Sequence, residues 1–101
     1  MKIIQKMCDR IEDEIRDAKD YAMFALEVKD DYPDLGRILY TISLQEMEHM
    51  RMLHDGVTAV INKYRTEHGE PPAKMMAVYE YLHERQIEKA AEAKTIQTMY
   101  K

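Results

Sequence analysis

Residues that stop a helix cluster at two places in this chain: the segment DDYPDLG at 30–36 and the segment EHGEPP at 67–72. Pro33, Pro71 and Pro72 all fall inside them. A proline inside a helix removes a hydrogen bond and clashes with the preceding turn, so these segments are boundaries. What lies between and outside them is rich in good helix formers and patterned at helical spacing. The punctuation predicts helices over about 3–29, 34–67 and 73–100, and a single all-α domain over 1–101. The first two are long, roughly 40–50 Å at ~1.5 Å per residue, and their connection is short, so they form an antiparallel hairpin. The second connection is too short to span a helix length, so the third helix folds back or leaves at an angle.

The totals narrow the function classes. Net charge is −4 with acids and bases intermixed and no basic block, which argues against nucleic acid as a partner. No apolar run approaches the ~20 residues of a membrane span. The start MKIIQKMCDRIEDE turns acidic at once and does not read as a signal peptide. Cys8 has no second cysteine to pair with, which fits a reducing compartment, the cytoplasm, and leaves no Cys-x-x-Cys metal site within one chain.

The informative feature is polarity on lines that should be apolar. In the first helix the stripe Ile4, Met7, Ile11, Glu14, Ala18, Tyr21, Ala25 keeps alternating steps of three and four, a heptad seam. In the second, Leu35, Leu39, Ile42, Glu46, His49, Leu53, Gly56, Val60 keep a similar rhythm. Glu14 interrupts the first stripe, and Glu46 and His49 the second. Burying an unpaired carboxylate costs several kcal/mol, so these positions need a reason. Residues at i and i+3 share one side of a helix, so Glu46 and His49 can close on one ion, with Glu14 facing them across the hairpin. Carboxylate oxygens with one imidazole suit iron or manganese. If the buried line of the first helix runs instead through Cys8, Ile15 and Ala22, Glu14 turns toward solvent. The plain reading of Glu46 and His49 is a hydrogen-bonded core pair.

The segments EIRDAKDYAMFA and EMEHMRML resemble the ferritin-like superfamily, in particular its rubrerythrin-type and encapsulated-ferritin-type members. Glu14 is followed seven positions on by Tyr21, and the Glu-x-x-His of Glu46 and His49 begins 32 positions after Glu14. The resemblance covers about residues 11–54. It implies metal ligation by Glu14, Glu46 and His49, a second-sphere hydroxyl from Tyr21, and a di-iron centre, with manganese or zinc as alternatives. In that pattern two helices each give a Glu and two others a Glu-x-x-His. One hairpin supplies half the set, so a homodimer or higher homo-oligomer would complete a ferritin-like four-helix bundle. The activity implied is oxidation of Fe(II) by oxygen or peroxide, serving iron storage or detoxification. An encapsulating shell is a further candidate partner, though no shell-docking tail is recognisable after Met99.

A second Glu-x-x-His, Glu80 and His83, lies on the third helix, but at a level roughly 12 Å from the first. Glu88 suits the level better. His54 and Asp55 fall off the second stripe. Met47, Met50 and Met52 suit adaptable packing at an interface. The rival reading is a metal-free helical adaptor whose methionine-rich seams bind a partner helix.

Overall fold

The structure, a computed structural model, describes residues 1–100 as three helices: α1 (Lys2–Val28), α2 (Pro33–His68) and α3 (Ala73–Thr98). The breaker segments are the joints. Pro33 opens α2, with Asp34 in its first turn where the helix dipole favours an acid. Gly69 closes α2 at φ 80°, a backbone state that favours glycine, and its N–H returns to the Arg65 carbonyl at 3.0 Å. Pro71 and Pro72 then separate α2 from α3.

The helices run up, down and up in a rod with principal extents of 56 × 18 × 18 Å. α3 folds back parallel to α1: Met1 meets Met75 near one end, and Lys19 pairs with Glu92 further along. It rests mainly on α1. At its far end Gln97 donates to Ser43 at 2.9 Å, and the Ser43 hydroxyl donates to the Ala18 carbonyl. Three helices are thus joined through one buried serine. Near it, Tyr40 and Tyr100 stack with centroids 4.4 Å apart. Among the described residues, no helix is long and apolar enough to cross a membrane.

The core shows where the heptad reading needs correction. The buried line of α1 is Ile4, Cys8, Ile11, Ile15, Ala18, Ala22, Ala25. Ile4, Ile11, Ala18 and Ala25 were expected there. Met7, Glu14 and Tyr21 are half-buried, and their neighbours Cys8, Ile15 and Ala22 take the interior. On α2 the buried line is Gly36, Leu39, Ser43, Met47, Val57, Ile61, again one position round from Glu46, Gly56 and Val60. The physical reason is α3. It covers the sides of α1 and α2 that carry Cys8, Ser43 and His54, and so draws the centre of burial toward itself. The stripes read from sequence are real, but they form the outer margin of the α1–α2 contact.

Candidate metal centre

On that outer margin the hairpin aligns Glu14 of α1 with Glu46 and His49 of α2. The level match follows from the short 29–32 turn, which pairs the two helices about residues equidistant from it. Nδ1 of His49 lies 3.5 Å from Glu14 Oε2 and 4.0 Å from Glu46 Oε2. One ligand atom from each residue falls within 4.8 Å of the others. The carboxylates are the inner members, with side chains 24% and 18% exposed, while the imidazole is 53% exposed. Glu14, Glu46 and His49 are therefore brought together across the hairpin as the spacing predicts.

The two carboxyls press on each other electrostatically. Glu46 is pushed up to about 7, first by its hydrogen bond with Glu14, then by burial and by the charge of Glu14; Asp17 adds to the rise and His49 opposes it. No N–H or O–H from elsewhere in the fold is directed at Glu14 Oε2, which is buried and has no such partner. Native interiors rarely leave such an acceptor alone. A proton on Glu46 directed at it would satisfy it at low pH. A divalent cation would satisfy it at higher pH, and two carboxylate oxygens with one imidazole nitrogen are a donor set that iron or manganese accepts.

The remaining candidates stand elsewhere. Tyr21 is half-buried on the same face of α1, two turns toward the hairpin bend, beside Asp17, Asp20 and Phe24. Glu80 and Glu88 are exposed on α3. His83 faces His54, on the side of α2 that meets α3, and does not join the Glu14 group. Sequence reasoning passed over Asp17, which lies one turn from Glu14 and acts on Glu46; the i, i+3 spacing from Glu14 was the available signal. It also placed His54 on the surface, because a residue facing α3 cannot be identified until the side covered by α3 is known.

Elsewhere on α1 and α2, several large apolar side chains are exposed, three of them toward the hairpin bend. Phe24 is 44% exposed, Leu35 39%, Ile38 56% and Met52 60%. Met7 and Leu53 are half-buried. Compared with protein-family models, curated proteins and solved structures, the chain matches none.

Proposed function

We propose that Glu14, Glu46 and His49 hold a redox-active metal, iron first, in a non-haem carboxylate centre that two copies of the chain complete. The observation that carries this is the convergence of three ligand atoms within 4.8 Å around a buried carboxylate oxygen with no donor of its own. The exposed apolar side chains of Phe24, Leu35 and Ile38, toward the hairpin bend, support a second copy on this side of the hairpin. On a two-fold axis the same face would meet itself, bringing six ligand residues together between four helices.

In this reading each residue has a task. Glu14 and Glu46 would hold the metal through their carboxylates, Glu46 giving up its proton to do so. Glu46, held near neutrality, makes uptake pH-dependent, because the proton must leave first. His49, the exposed member, is placed to take a metal arriving from solvent and fix its orientation. Iron held there would supply one-electron redox chemistry: two Fe(II) and two protons would reduce oxygen to hydrogen peroxide, or hydrogen peroxide to two waters. Fe(II) is then substrate as well as occupant, and the reaction is that of a ferroxidase in iron storage or detoxification.

The exposed apolar side chains also support a second reading, a metal-free adaptor that receives a partner helix there. One experiment separates the two. The purified chain is titrated with Fe(II) without oxygen, and iron content and mass in solution are measured. About one iron per chain in a dimer, lost in Glu46→Ala, is expected. Ile38→Arg, exposed in the single chain, should leave the fold intact and yield monomers that bind iron weakly. A chain that takes up no iron, with melting unchanged by Fe(II), would sink the metal reading. A monomer holding two irons would sink the shared centre.

A further inference from the structure

The side of α2 opposite the metal residues carries a second polar cluster. His54 on α2 and His83 on α3 stack with ring centroids 4.5 Å apart and planes inclined by 24°. Tyr79, one turn earlier on α3, stacks on His83 at 5.8 Å and 13°. Both histidines are half-buried. Nδ1 of His83 is buried and has no hydrogen-bond partner. A protonated imidazole carries N–H on both nitrogens, so protonation would leave a donor there without an acceptor.

We propose that the His54–His83 stack is an acid-operated latch that holds the first half of α3 against α2 while the rings are neutral and releases it when both are protonated. Two imidazolium ions at this spacing repel each other, and the surroundings supply little to offset them. From α2, Arg51 adds positive charge, and Asp55 and Glu48 are engaged with that arginine. From α3, Lys94 lines the same groove, and Glu84 is the one carboxylate that acts favourably on His83. Tyr79 is held above the ordinary phenol range by burial and stays neutral. From α1, the Cys8 thiol is raised by burial and stays neutral, while Glu12 acts on Cys8 and Arg85. Burial, and then His54, hold His83 below the ordinary imidazole value, in keeping with this geometry.

The near half of α3 is held by the Met1–Met75 contact and by Met76, Tyr79 and Leu82 packed on the core, and the stack adds its tie to α2. Beside the stack, α2 and α3 are parted by a groove of about 340 Å³ floored by Met50 and Ala90, through which water reaches the rings. The Ser43–Gln97 bond, the Tyr40–Tyr100 stack and the Lys19–Glu92 pair all lie beyond it, toward the end of α3. Those contacts contain no histidine, so the far half stays docked while the near half lifts. Cys8, 2% exposed beneath Gln86 and Tyr79, becomes accessible.

Hydrogen exchange on the metal-free, full-length chain tests this at about pH 7.5 and about pH 5, on either side of the ordinary imidazole value. Protection of residues 73–86 relative to 11–25 should fall at least about ten-fold at the lower pH, and Cys8 should become reactive to a disulfide reagent active in acid. Protection of residues 93–98 should hold. His83→Phe keeps a ring in the stack and removes its charge, so it should abolish the pH response. His54→Phe makes the same comparison from α2 should the first variant not fold. The latch is overturned if both rings titrate by NMR in the native chain while residues 73–86 keep their protection. It is equally overturned if either phenylalanine variant opens as the native chain does.

Discussion

α2 presents two polar clusters to its two neighbours, and they differ in the charge they can accept. On the outer side, Glu14, Glu46 and His49 gather acids at an open margin, where one oxygen lacks a donor and a proton or cation is welcome. On the α3 side, His54 and His83 stack under cover beside Arg51 and Lys94, where added positive charge is unwelcome. The same helix therefore responds to acid in opposite senses on its two faces. Glu46 has its folded-state pKa raised, so its stabilising contribution is present below the ordinary carboxyl value and is lost as pH rises to about 7. His83 has its folded-state pKa lowered, so stability is present above the ordinary imidazole value and falls as pH drops below it. Between these limits, acid tightens the hairpin and loosens α3.

The comparison depends on a shared core, and breaking that core should have the largest effect. Ile11 is 1% exposed and lies on the line of α1 common to both sides. Ile11→Ala should cost about 2–5 kcal/mol, read from denaturant unfolding, and weaken both clusters together. Next in size is a change confined to the outer face. Glu14→Gln removes a ligand charge and should lower Fe(II) affinity by at least ~100-fold, beyond the loss typical of outer-sphere partners, with the pH response of α3 unchanged. Loss of the α3 response in that variant would show that the two faces are not independent.

How far the sequence could foretell this molecule follows from the same two faces. Pro33, Gly69, Pro71 and Pro72 mark the helix ends, because a missing N–H or a left-handed φ acts locally. Glu14, Glu46 and His49 could be found because helical spacing and a short turn fix which residues meet across a hairpin. The depth of the seam was not legible. Ile4, Ile11, Ala18 and Ala25 suit a stripe drawn through Glu14 or one drawn through Ile15, and only the position of α3 decides between them. The low regularity of α3 hid that position. Gln86 and Gln97 are buried on α3, where a hydrophobicity pattern places solvent. The pairing of His54 with His83 escaped for the same reason: it joins helices far apart in sequence.

A smaller effect, and a sharper one, concerns the proton at Glu46. Glu46→Gln keeps a hydrogen bond to Glu14 and removes the second charge. In the metal-free chain at about pH 8 it should raise stability by about 1–3 kcal/mol, since the native glutamate must ionise there against burial and Glu14. At about pH 4.5, with Glu46 protonated in the fold, variant and native chain should melt alike. Urea unfolding at the two pH values measures the difference. Equal stability at both would mean the carboxyls do not press on each other, and the contrast with the imidazole side would collapse.

The smallest expected change sits at Gly56, in the middle of α2. A Cβ on Gly56 would stand 2.7 Å from the Met7 Cε, the far end of a flexible side chain. Alanine in a helix interior gains roughly 1 kcal/mol over glycine, and a methionine can swing aside at modest cost. Gly56→Ala should therefore alter chain stability by less than about 1 kcal/mol in either direction. Met7 would move outward on the face proposed to meet a second copy. The informative readout is then association: light scattering across a dilution series should show weaker dimers with unchanged folding. Unaltered association would move the interface away from Met7 and Gly56, toward the hairpin bend around Phe24 and Ile38.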